Sequence, residues 1–156
     1  MKPIVKLIIS IAVPLLVGAV SGFFTSESVA GWYSTIRKPS FNPPNSIFAP
    51  VWTVLFIMMG LACFLVWKKS SDMYSKKSAL TFYGIQLALN FAWSIIFFYF
   101  QQPGWALIEI VILWIFIFIT IRKFGDISPM AAWLLVPYIC WVSFAAVLNF
   151  NIWELN

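Results

Sequence analysis

The sequence predicts an all-α membrane protein: a five-transmembrane-helix bundle with an ordered outer lid between the first two spans. Three observations carry this prediction. Of the 156 residues, 62% are hydrophobic and only 10% charged, against roughly 25% charged in soluble domains. The apolar residues gather into five runs, each near the ~20 residues that cross a hydrocarbon core. The one long connection, about residues 25–45, contains prolines and large aromatics, a stiff composition rather than that of a slack linker.

The chain reads as a single domain over 1–156, with spans at about 7–24, 46–68, 78–100, 104–122 and 127–150. Periodicity does not separate strand from helix within an unbroken apolar run, but length does. The first run, Leu7–Phe24, resembles a signal peptide, with Lys2 and Lys6 ahead of it and Ser28-Val29-Ala30 behind. Its apolar core is longer than a signal's and four spans follow, so it reads as a transmembrane helix.

Charge sets the expected orientation. With five spans, Lys2, Lys6, Lys68, Lys69, Lys76, Lys77, Arg122 and Lys123 share one side, and only Arg37 and Lys38 fall on the other. Cytoplasmic loops are the basic ones. The N-terminus is therefore expected in the cytoplasm, with the loop between spans 1 and 2 and the C-terminus outside, in a cell (inner) membrane. The net charge of +5 is explained by these loops, and no nucleic-acid partner is expected.

That outer loop is the longest. It holds Trp32, Tyr33, Ile36 and Phe41, and the stretch Lys38–Thr53 carries four of the nine prolines, at 39, 43, 44 and 50. Proline fixes φ and lacks a donor, so this stretch is a pre-shaped connector. Ser26 or Ser28 is expected to cap a short helix reaching Ile36. Asn45 or Ser46 is expected to cap the second span, where Pro50 is tolerated in the first turn because its N–H groups lack helical partners.

The third span has two faces. At about 100° per residue, Gly84, Ala88 and Ala92 form a small-residue ridge, and Gln86, Asn90, Trp93 and Phe97 form a polar-aromatic stripe on nearly the opposite side. Small residues let helix backbones approach closely in lipid, so the ridge is a candidate homodimer interface or a packing face within one bundle. Gly18 and Gly22 make a similar pair in the first span. Amides facing lipid are expensive, so Gln86 and Asn90 should face inward. There they either bond neighbouring helices or fix a ligand in an apolar pocket. The second span offers Trp52, Phe56, Met59 and Cys63 on one face, and the fifth offers Trp133, Pro137, Trp141, Phe144 and Leu148. Trp67, Trp105 and Trp153 fit an interfacial belt, and Trp114 a lipid or core position. Trp52, Trp93 and Trp141 lie deeper, in the outward halves of their spans, within reach of the lid.

The sequence lacks the parts of conventional acid–base or metal chemistry. There is no His, no clustered ligand set and no phosphate-cradling loop. Among the acids only Glu109 falls inside a span, at a depth that suits snorkelling to the interface better than proton coupling. No covalently bound cofactor is expected. No internal repeat is visible, which weakens a transporter built on inverted halves.

The chain carries the stretches Trp32-Tyr33, Lys38-Pro39-Ser40-Phe41-Asn42-Pro43-Pro44-Asn45, Phe48-Ala49-Pro50-Val51-Trp52-Thr53, Met59-Gly60, Gln86-Leu87-Ala88-Leu89-Asn90, Ala92-Trp93-Ser94, Gly104-Trp105-Ala106-Leu107, Pro137-Tyr138 and Leu148-Asn149. They fall in the outer loop and in the second to fifth spans. In these stretches the chain resembles the tryptophan-rich sensory protein or translocator protein (TspO/MBR) family, the peripheral-type benzodiazepine receptors of animals. The resemblance implies a five-helix bundle, often a homodimer, with a pocket under the outer loop. Family ligands include porphyrins such as protoporphyrin IX, benzodiazepine-like drugs and, in animals, cholesterol.

Carried over residue by residue, the family's pocket positions are Tyr33, Trp52, Asn90, Trp93, Trp141 and Ala145. Pro44, Phe48, Phe56, Gln86 and Phe97 complete the candidate ligand-binding set. Bacterial relatives are implicated in light- and oxygen-dependent porphyrin breakdown attributed to pocket tryptophans, and Trp52 and Trp141 are the corresponding candidates here. The animal sterol pattern is broken, with Phe150 and Glu154 where it has a Tyr and a basic residue, so sterol binding does not carry over. The expected function is a bacterial tetrapyrrole-binding sensor or scavenger, with porphyrin as ligand or substrate. The rivals are a transporter of such ligands and a regulatory membrane protein without turnover.

Overall fold

The computed structural model describes residues 1–156. Its helices are α1 (Pro3–Ala30), the single turn α2 (Trp32–Thr35), α3 (Asn45–Lys68), α4 (Met73–Ser94, prolonged by a π turn over Ile95–Tyr99), α5 (Pro103–Ile127) and α6 (Pro129–Leu155). Five of the helical segments are long and apolar enough to cross a membrane. They close a ring: α1 packs on α3, α3 on α6, α6 on α5, α5 on α4, and the end of α4 returns to α1.

Several helices run past their expected limits. α1 continues to Ala30 rather than stopping near 24, because its polar end is satisfied internally. Thr25 Oγ1 donates to the Ser21 carbonyl at 2.9 Å and Ser26 Oγ to that of Phe23 at 3.3 Å. Neither Ser26 nor Ser28 starts a new helix. The break comes at Gly31, whose N–H still bonds Glu27 O at 2.9 Å. The lid thus shortens to residues 31–44. The segment Arg122–Asp126, expected as a loop, is the last turns of α5, and Ser128 alone separates α5 from α6.

The start of α3 is also corrected. Pro44 occupies the N-cap, and neither Asn45 nor Ser46 supplies a side-chain cap. Pro50 therefore lies beyond the first turn, where its ring withholds a hydrogen bond from the Ser46 carbonyl. At the other end of the bundle, Asp72 does cap α4. Its carboxylate accepts the Ser75 N–H at 2.9 Å, and that bond holds its pKa below the ordinary carboxylate value.

α1 is held to α3 by close backbone approach. A Cβ on Gly60 would stand 2.6 Å from Ser10 O and 2.7 Å from Ile11 Cα, and one on Gly18 would stand 2.6 Å from the Phe56 ring. Gly18 is thus a packing position within one chain. Gly84 and Ala88 on α4 are exposed, and a Cβ on Gly84 would meet nothing within 4 Å. The Gly84–Ala88 part of the α4 ridge is uncovered in the single chain, while Ala92 is half-buried.

Candidate functional site

The lid-side half of the ring encloses a cavity of about 800 Å³, lined from α1, α2, α3, α4 with its π turn, and α6. No charged side chain lines it. Its walls are aromatic. On the α3 side, Trp52 stacks on Phe56 with centroids 5.6 Å apart and meets Tyr138 edge-on at 6.3 Å. Phe48 stands edge-on to Trp141 at 6.2 Å. Across the cavity, Trp93 lies 5.5 Å from Phe97. The π turn brings consecutive Phe97 and Phe98 to the wall, and both contact Tyr33, at 6.3 and 5.4 Å. A π turn inserted in a helix re-aims side chains in this way and recurs at functional sites.

Hydrogen bonds fix the polar wall. Tyr138 Oη donates to Gln86 Oε1 at 2.7 Å and accepts from Asn90 Nδ2 at 2.9 Å. Trp93 Nε1 donates to Asn149 Oδ1 at 3.0 Å, and Asn149 Nδ2 donates to the Pro103 carbonyl at 2.8 Å. These bonds tie α4 to α6 and α6 to the start of α5. They hold Asn90 and Trp93 in single orientations, which pre-organises the wall before anything binds. The Trp141 indole N–H is buried and bonds no protein atom.

The lid closes the top. Buried Tyr33 donates its hydroxyl to Asn42 Oδ1 at 3.1 Å. Lys38 Nζ donates to the carbonyls of Tyr33 at 2.6 Å and Ile36 at 3.3 Å, and sits 4.7 Å from the Tyr33 ring centroid. The prolines and this knot of bonds shape one small unit that carries Tyr33 to the cavity.

Of the candidate ligand-binding residues, Tyr33, Phe48, Trp52 and Phe56 line the cavity, as do Asn90, Trp93, Phe97, Trp141 and Ala145. Two candidates do not. Pro44 is exposed at the helix cap, and Gln86 is sealed behind Tyr138 with its Nε2 3.9 Å from Met59 Sδ. Gln86 therefore has the helix-bonding role and leaves the wall to Asn90. Trp133, placed on the same face as Trp141, is 70% exposed and stands outside. Glu109 does not snorkel. It is 9% exposed, its two oxygens have no partner, and it lies apart from the cavity.

Sequence reasoning missed the α1 wall. Gly18, Ala19 and Gly22, with Ser21, Thr25 and Ser26, line the cavity. Ser21 Oγ donates to Ser94 Oγ at 2.7 Å, pinning α1 to α4 beside it. The spacing of Gly18 and Gly22 was the available signal, but it reads equally as helix packing. The role of Asn149 in holding Trp93 had no signal beyond the family motif.

This aromatic cavity beneath a proline-shaped lid can be compared with known proteins. The profile of the TspO/MBR family matches residues 10–154. The chain belongs to the TspO/MBR family. Among curated TspO/MBR relatives, the tryptophan-rich protein TspO of Chlorobaculum tepidum is 46% identical over 99% of this chain and 98% of its own length. Its namesake in Archaeoglobus fulgidus is 42% identical over 98% of each chain. The translocator protein of Sus scrofa is 39% identical over 90% of this chain and 86% of its own. Family membership and five apolar helices make this a multi-pass TspO/MBR membrane protein.

Proposed function

We propose that the cavity binds a tetrapyrrole, with protoporphyrin IX as the representative ligand, and that the protein acts as a porphyrin sensor or scavenger. One observation carries this reading: an uncharged cavity of about 800 Å³ walled by Trp52, Trp93, Trp141 and five further aromatic rings. That volume falls within the usual range for small-molecule sites. Flat indole and phenyl faces favour a flat conjugated ring through offset and edge contacts. Asn90, already fixed by Tyr138, offers its side-chain oxygen. Acidic substituents of a porphyrin would sit at the mouth rather than inside, since no cation lines the cavity.

The fuller form of this reading is light-driven porphyrin breakdown with dioxygen as the oxidant. Trp52 and Trp141 face the cavity, where an indole can exchange an electron with the excited ring. The chemistry would belong to the ligand, the protein supplying binding and the electron-rich walls. Titration of protoporphyrin IX into the purified protein, in darkness and under light, tests both forms.

The assembly and orientation belong to the same proposal. The exposed Gly84 and Ala88, with half-buried Ala92 continuing their ridge, support a homodimer across α4, since small residues gain contact only when another helix covers them. The eight-to-two distribution of basic residues supports a cytoplasmic N-terminus, with the lid outside the cell membrane.

A further inference from the structure

A second groove lies at the lid end, formed by α2, the turn before α5, the start of α5 and the end of α6. It shares no lining residue with the aromatic cavity. Its shape is fixed from two sides. Gln101 holds φ at +56°, a left-handed conformation uncommon outside glycine, and so turns the chain sharply into α5. Gly104 then lets the Trp153 indole lie against the first turn, where a Cβ would stand 3.0 Å from Trp153 Nε1. Asn156 clasps the lid, accepting the Arg37 N–H at 3.1 Å and donating to the Arg37 carbonyl at 2.8 Å.

The lining chemistry is selective. Trp32, Trp105 and Trp153 supply three indoles, Glu154 is the one charged side chain, and no Lys or Arg lines the groove. Indole faces attract cations through their quadrupole, most strongly where water is partly excluded. A carboxylate beside them selects positive charge again. Trp105 and Trp153 are 68% and 51% exposed, at the helix ends where aromatic belts meet lipid headgroups. One turn deeper, exposed Ile108 continues the wall with an apolar surface fit for an acyl chain.

We propose that this groove binds the ammonium headgroup of a phospholipid in the lid-side leaflet, with Glu154 taking the charge and Trp105 and Trp153 flanking it. An unselective aromatic belt would place the same indoles at this depth without preferring one headgroup to another. Headgroup preference is therefore the measurement. Purified protein is titrated with equal amounts of dioleoyl phosphatidylethanolamine and dioleoyl phosphatidylglycerol, and retained lipid is counted by native mass spectrometry.

The wild type should retain the ethanolamine lipid over the glycerol lipid by about threefold, the size expected of a partly exposed cation–aromatic contact. Glu154→Gln should erase the preference, Glu154→Lys should reverse it, and Glu154→Asp should keep most of it. Trp153→Leu should reduce it with Glu154 intact. Equal retention by the wild type, or an unchanged ratio in Glu154→Gln, overturns the proposal. So does displacement of the bound lipid by free ethanolamine at equal concentration, which would mark a site for a soluble amine. Circular dichroism of each variant confirms that the lipid counts come from folded protein.

Discussion

Tyr33 and Asn42, nine residues apart, are joined by a hydrogen bond of 3.1 Å from the tyrosine hydroxyl to the amide oxygen. The bond ties the single turn α2 to the proline-rich run that enters α3. It makes the lid one unit whose inner surface is the Tyr33 ring, in contact with Phe97 and Phe98. The lid is stiff before any ligand arrives, so binding loses little entropy in ordering it.

The first prediction follows from that stiffness. Replacing Pro43 and Pro44 together by Gly gives the unbound lid more conformations, at roughly 0.4–1 kcal/mol for each position. Porphyrin affinity should fall by about 4- to 30-fold while helical content is unchanged. Fluorescence titration and circular dichroism check this, and unchanged affinity would reduce the lid to a linker.

The second concerns the polar wall. Tyr138→Phe removes the hydroxyl that serves both Gln86 and Asn90. It strands a buried acceptor and a buried donor, at roughly 1–3 kcal/mol for an unsatisfied group. The midpoint of thermal unfolding in detergent should drop, and porphyrin affinity should fall with it because Asn90 loses its fixed orientation. An unchanged midpoint with unchanged affinity would show that Asn90 is held by something else.

The third contrasts two glycines. Gly60→Ala drives a Cβ into the backbone of α1, and overpacking of this kind costs roughly 1–3 kcal/mol. Gly84→Ala meets open space and should leave the single chain's stability unaltered. Gly84→Leu should leave the fold intact yet shift the assembled mass toward the monomer, as read by light scattering in detergent. A dimer that persists in Gly84→Leu would move the proposed seam away from α4.

Much of this arrangement was legible in the sequence, for identifiable reasons. Run length fixes five helices because only a helix satisfies its own backbone across hydrocarbon. Helical spacing placed Trp52, Asn90, Trp93 and Trp141 on inward faces, since indoles and amides are chemically distinctive. Gln86 shares the Asn90 face, and nothing in that spacing reveals that Tyr138 reaches between them from α6. The α1 wall was missed because Gly18, Ala19 and Gly22 shape a cavity by lacking side chains. The end of α1 was placed too early because Thr25 and Ser26 read as loop residues, although each bonds a carbonyl of its own helix. The π turn over Ile95–Tyr99 left no mark in the spacing of its apolar residues.

The most direct test of the central claim replaces both candidate indoles at once. Protoporphyrin IX is titrated into the wild type and into the Trp52→Phe, Trp141→Phe double variant, and each complex is then followed in darkness and under light with dioxygen present. The wild type should bind saturably, and the double variant about tenfold more weakly, as expected from roughly 0.5–1.5 kcal/mol per aromatic contact. Light-dependent product formation should be lost in the double variant even at saturating porphyrin. Equal affinity and equal product in the two proteins would contradict the account.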